Sequence, residues 1–120
     1  MIVDDEPSII EAVTIYLEYE GYKVIPASSG YACLQQLRGG FRGVILMDIV
    51  MPDMDGWSTI EKIVEEKLLD GNAICMLTGT VTPDSRGSEL ESYVLDYLVK
   101  PFDGKKLMMM VNTAASYLKQ

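Results

Sequence analysis

The chain carries five short apolar runs, and between them hydrophobic residues recur at three- and four-residue steps. This alternation constrains the fold more than any other property, because a strand-period run and a helix-period run cannot exchange roles. Met1-Ile2-Val3 stops at Asp4-Asp5, residues 22–26 form a second run, and Val44-Ile45-Leu46-Met47 lies between Gly43 and Asp48. Residues 73–77 stop at Thr78, and Tyr97-Leu98-Val99 stops at Lys100-Pro101. The first helical segment has Pro7 in its first turn, where a missing N–H is harmless, then Ile9, Ile10, Val13, Tyr16 and Leu17, with Gly21 to close it. Cys33, Leu34 and Leu37 share a second helical face, ended by Gly39-Gly40. Ile60, Ile63, Val64 and Leu68 mark a third, residues 83–92 a more polar fourth, and Leu107, Val111, Ala114, Ala115 and Leu118 a fifth that Asp103 can cap. Five strands alternating with five helices predict an α/β fold with a parallel sheet, right-handed crossovers and helices on both faces.

The chain of 120 residues suits one domain and has no room for a second core. A length of this order buries roughly two-thirds of the unfolded surface, so neither disulfides nor a structural metal is needed for folding. The 48% apolar content and mean hydropathy of +0.13 exclude a disordered tail. Its apolar runs fall far short of the ~20 residues of a membrane-spanning helix, and acidic residues at positions 4 to 6 argue against a signal peptide. The formal charge of −8 argues against general nucleic-acid binding. With no histidine, His-based metal sites, triads and His phosphoacceptors are excluded. Cys33 and Cys75 sit among apolar neighbours and read as buried free thiols of a reducing, cytoplasmic compartment.

In parallel sheets ligands bind beyond the carboxyl ends of the strands. That rule selects Asp4-Asp5, Asp48, Thr78 and Lys100, four polar endings that one rim would gather. Crowded carboxylates raise one another's pKa unless a cation is present, and an oxygen-only donor set suits Mg2+. Three aspartates, Mg2+ and Lys100 would together be roughly neutral and ready for a dianionic group. Asp48, at the end of a buried strand, could then attack phosphorus, since carboxylates are known nucleophiles that form aspartyl-phosphate. Lys100 and the Thr78 hydroxyl would bind the phosphoryl oxygens. Taken singly, each residue has an ordinary alternative: Asp4-Asp5 a helix-capping turn, Asp48 a turn start, Thr78 a strand-end hydroxyl, Lys100 a solvated cation.

MIVDDE, ILMDIVMPDMDG, ICMLTG and DYLVKPF, in that order and spacing, resemble the receiver domain of two-component response regulators over nearly the whole chain. The resemblance implies the flavodoxin-like strand order 2-1-3-4-5 for residues 1–120, read as one receiver domain that is either stand-alone or cut from a longer protein. It implies Asp48 as phosphoacceptor, Asp4 and Asp5 as the acidic Mg2+ pair, and the Val50 carbonyl as a further ligand. Thr78 would be the switch hydroxyl, Lys100 the phosphoryl-binding cation and Tyr97 the aromatic that changes rotamer. A cis bond is expected between Lys100 and Pro101. Val50 and Thr80 would flank the path of hydrolytic water, and neither is suited to orient it.

The implied partner is a sensor histidine kinase or phosphotransfer protein, with phosphorylation altering the face of helix four, strand five and helix five. Direct nucleic-acid contact and membrane insertion are not expected; a monomer or a phosphorylation-dependent dimer is. The domain would be a phosphoacceptor that assists its own phosphorylation and dephosphorylation, and not an enzyme. Two alternatives stay open. One is a degenerate receiver that binds partners without phosphorylation. The other is a haloacid-dehalogenase-type phosphotransferase, weakened because Val50 stands where that family has an acidic residue. Residues 93–95 depart from the receiver pattern before strand five, and Met108-Met109-Met110 is read as core filling or as an adaptable contact surface.

Overall fold

The computed structural model describes residues 1–79 and 87–119. Its elements run β1 (Ile2–Val3), α1 (Pro7–Tyr19), β2 (Pro26–Ala27), α2 (Gly30–Arg38), β3 (Gly43–Asp48), α3 (Gly56–Glu65), β4 (Asn72–Thr78), α4 (Gly87–Leu90), a 3-10 turn (Glu91–Tyr93), β5 (Val94–Val99) and α5 (Gly104–Leu118). All strand pairs are parallel, in the order β2-β1-β3-β4-β5. The α/β fold, the five-stranded sheet and its order are as expected.

Two apolar layers sandwich the sheet. Met47, Ile45, Ile74 and Met76 pack with Cys33, Leu34 and Leu37 of α2 and Trp57, Ile60 and Ile63 of α3. On the opposite face Leu46, Cys75 and Leu77 pack with Val13 and Leu17 of α1 and Leu107, Val111 and Ala114 of α5. Alternate residues of β3 and β4 therefore serve both cores, which explains why these strands read as unbroken apolar runs. Both cysteines are free and buried, and burial pushes each thiol up to about 12. No described helix is long and apolar enough to cross a membrane.

Local chemistry sets the helix ends. Ser29, Asp55 and Asp103 cap α2, α3 and α5 by accepting the backbone N–H three residues on. The Lys100–Pro101 bond is cis. Three expected boundaries shift. The second strand is Pro26–Ala27 and not residues 22–26, because its sheet partner β1 pairs with it over two residues only. The last strand begins at Val94, with a register shift that takes Ile74↔Val94 to Cys75↔Asp96 and leaves Leu95 out of step. The departure at 93–95 is thus the end of a 3-10 turn followed directly by strand. Of the helix expected over 83–92, residues 83–86 lie outside the described residues, and the rest is α4 and the start of the 3-10 turn. The Met108–Met110 run divides: Met110 is buried, whereas Met109 is exposed.

At Gly56 a close approach of two backbone segments requires glycine. Gly56 opens α3 with its N–H donating to the Ile49 carbonyl at 2.8 Å. A Cβ there would lie 2.5 Å from the Asp48 carbonyl oxygen and 3.0 Å from the Ile49 Cα, both backbone atoms with little freedom to yield. Gly56→Ala should therefore destabilise the fold by roughly 1–3 kcal/mol, as overpacking does, which a urea titration would measure as a lower midpoint.

Candidate functional site

β1, β3 and β5 deliver one polar residue each to the carboxyl rim of the sheet. The Val3↔Met47 pairing sets Asp4 level with Asp48, each one step past an apolar run. Asp4 is fully buried and Asp48 nearly so, while Asp5 is exposed on the solvent side. One carboxylate oxygen from each of the three lies within 4.8 Å of the others. Lys100 reaches in from the end of β5, its Nζ 3.1 Å from Asp4 Oδ2 and 3.4 Å from Asp48 Oδ1. The Lys100 amide donates to the Thr78 carbonyl at 2.7 Å, which fixes the ends of β4 and β5 together.

Asp4 satisfies two readings at once. Its Oδ1 accepts the Glu6 N–H at 3.0 Å, as a turn residue before α1 would, while Oδ2 accepts from Lys100. Thr78 is buried at the same rim. Val50 is 78% exposed, two residues beyond Asp48, and its backbone N–H weakly favours the charged form of the Asp48 carboxyl. Tyr97 is not at the rim. It pairs with Met76 one step back along the sheet, and its ring lies 6.4 Å, centroid to centroid, from that of Trp57. Thr80 lies outside the described residues. The Trp57–Tyr97 contact was not foreseen, because nothing in the spacing of the two residues announces a meeting between α3 and β5.

The electrostatics follow from one ammonium shared between two carboxylates. Burial first, and then the charge of Asp4, push the Asp48 carboxyl up to about 6, and the opposing pull of Lys100 does not restore it. Burial works against the Lys100 ammonium too, but the hydrogen bonds and charges of Asp4 and Asp48 outweigh it and hold Lys100 above its ordinary value. An isolated ion pair would lower the acid and raise the base. Here both rise, because burial and the charge of Asp4 outweigh the pull of Lys100 on Asp48, while the lysine is held by two anions. Three carboxylates against one ammonium leave the rim under-compensated. Oxygen-only donors at this spacing fit a hard divalent cation such as Mg2+.

The comparisons agree with this geometry. Residues 1–112 match the family model described as the response regulator receiver domain. The receiver domain protein from Methanospirillum hungatei, described as CheY-like, superposes with a TM-score of 0.94 at 42% identity, covering 99% of this chain and 94% of that one. The chemotaxis protein CheY4 of Vibrio cholerae superposes at 0.84 with 27% identity, over 94% of each chain. The response regulator SaeR of Staphylococcus aureus is 31% identical over all 120 residues, and the chain spans 51% of its length. The chain belongs to the response regulator receiver domain family, a phosphoacceptor module and not a classical enzyme, and its acidic triad is of the kind a phosphoacceptor site requires. That membership removes the dehalogenase alternative.

The Asp48 shift has a measurable consequence in metal-free buffer. A carboxyl raised from 3.8 to about 6 in the fold stabilises it when protonated, fully so below the unfolded value, and loses that contribution as pH rises through about 6. Asp48→Asn, neutral throughout, should be more stable than wild type near neutral pH by roughly 1–2 kcal/mol, after discounting for solvent screening. The gap should close toward pH 4. Urea titrations in a chelator across this range check it; a gap independent of pH would contradict it.

Proposed function

We propose that this domain is a phosphorylation-operated signalling switch in which Asp48 accepts a phosphoryl group from a partner histidine kinase or phosphotransfer protein. The observation that carries the reading is Lys100 lying between Asp4 and Asp48, with Asp5 beside them, at the carboxyl end of a parallel sheet. The Asp48 carboxylate would be the nucleophile, attacking phosphorus while the donor leaves with the bond electrons. Asp4, Asp5, Asp48 and the Val50 carbonyl would hold Mg2+, which when bound neutralises charge on the phosphoryl oxygens. Lys100 would exchange part of its contact with Asp48 for a phosphoryl oxygen, and the Thr78 hydroxyl would donate to another. Thr78 moving toward the group would leave room for Tyr97 to turn, altering the surface of α4, β5 and α5. Such a switch needs only a few kcal/mol of preference between two states.

Residues 1–120 are read as the receiver unit of a cytoplasmic protein, acting as a monomer or as a phosphorylation-dependent dimer. The chain spans about half the length of SaeR. The test is incubation with acetyl phosphate and Mg2+ followed by intact mass. Wild type should gain one phosphoryl group; Asp48→Asn, and wild type with excess chelator, should gain none. Equal labelling of Asp48→Asn would sink the assignment.

The phosphorylated form should be long-lived. Hydrolysis needs a water in line with phosphorus, opposite Asp48. Val50, exposed and two residues past Asp48, has no polar side-chain atom to orient one, and Thr80 offers only a short hydroxyl. Orienting a nucleophile contributes several kcal/mol in favourable cases, so Val50→Asn and Thr80→Glu should speed phosphoryl decay. Unchanged or slower decay in both would show that backbone geometry governs the rate.

A further inference from the structure

Trp57 is the only tryptophan of the chain, is 1% exposed, and has no part in the chemistry proposed for the rim. Two contacts make it more than core filling. Through Gly56 it follows directly on the closest backbone approach to the site, where the first residue of α3 abuts the Asp48 and Ile49 backbone. Its own ring meets Tyr97 at 6.4 Å and 50°, a tilted geometry that aromatic pairs favour. Met76 closes the arrangement: it pairs with Tyr97 in register, and its methyl would lie 2.9 Å from a Cβ on Gly56. Register partners point to the same face of a sheet, so Tyr97 projects toward α3, as Met76 does. Tyr97 is nevertheless 36% exposed, so its ring has a buried side and an open one.

We propose that Trp57 is a positioning residue for Tyr97: a fixed aromatic stop, carried on the helix bolted to the end of β3, that sets where the Tyr97 ring rests and passes displacement of the Asp48 end to it. The inference rests on the receiver reading above. It adds a route through α3 to the one through Thr78 and β4. The route is short, because Asp48, Gly56, Trp57 and Tyr97 are in successive contact. It is also stiff at its α3 end, where Trp57, Thr59, Ile60 and Ile63 are all buried. Packed side chains with discrete arrangements are the physical carriers of such coupling.

The single tryptophan makes the test direct, since all indole emission comes from this residue. Wild type, Tyr97→Phe and Tyr97→Ala are loaded with Mg2+ and beryllofluoride, a phosphoryl mimic, while emission and amide spectra around Asp48 are followed. Wild type and Tyr97→Phe, which keeps the ring, should change emission on loading; Tyr97→Ala should lose that change while the amides near Asp48 still respond. In the reverse direction, Trp57→Leu should shrink the difference between loaded and unloaded Tyr97 ring resonances to what the Thr78 route alone supplies. The Tyr97 variants decide the matter if Trp57→Leu does not fold, because Tyr97 is half exposed. An emission change of equal size in Tyr97→Ala and wild type, or none in wild type despite amide shifts at Asp48, overturns the inference and leaves the receiver reading intact. Amides near Asp48 that ignore beryllofluoride in wild type overturn both.

Discussion

The contact on which the site depends is the Lys100 ammonium held between Asp4 and Asp48. It joins the ends of β1, β3 and β5, elements far apart in sequence, and it does so in a place where none of the three charges is well solvated. A buried ion pair is poor evidence of stability, since desolvation offsets most of the attraction. The raised Asp48 carboxyl shows this directly: burial and the charge of Asp4 push it up to about 6, and one ammonium shared by two acids does not restore it. Such a site is a compromise in stability terms. It becomes favourable when more positive charge arrives, and the exposed Asp5 on its open side is where a cation would complete it.

Everything about the sheet serves to hold those ends level. The parallel pairing Leu46↔Cys75, Met47↔Met76 and Asp48↔Leu77 runs without irregularity to the rim, and every residue of β4 is buried. β3 and β4 are clamped from both faces and cannot shift singly without disturbing two cores. β5 differs. It is an edge strand, it slips register at Leu95, and Leu95, Tyr97 and Val99 are all more than a third exposed. A displacement at the rim meets stiff packing in one direction and a loosely covered strand in the other.

Much of this was legible in the sequence because the informative residues obey position rules. Asp48 and Thr78 were found by where apolar runs stop, and those runs were unbroken because both faces of β3 and β4 are covered. Asp103 was legible as a cap because capping needs only a short polar side chain and an N–H three residues on. What failed were features set by pairing over distance. The two-residue β2 is determined by β1, not by the apolar character of residues 22–26. The start of β5 at Val94 depends on a register shift against Ile74 that no local pattern encodes. Asp4 was weighed as either a turn residue or a site residue, and its two oxygens do one task each. The meeting of Trp57 with Tyr97 lay beyond reach for the same reason, being a contact between two faces and not a motif.

The position of that aromatic pair bears on how charge chemistry at the rim becomes shape at the surface. A phosphoryl group adds roughly −1.5 to −2 of charge, but beyond about a Debye length of ~10 Å that charge is screened from solvent-exposed partners. A distant surface is therefore better informed by packing than by field. Packing transmits only where one element is fixed and the next has two places to go. Trp57, 1% exposed, meets the first requirement, and Tyr97, 36% exposed, has an open side on which the proposed turn could take place. Had both rings been buried, the pair would be core and nothing would turn; had both been exposed, neither would register a sub-ångström shift at Asp48. In the proposed switch, the asymmetry within one contact would let a rigid rim act on an adaptable edge strand.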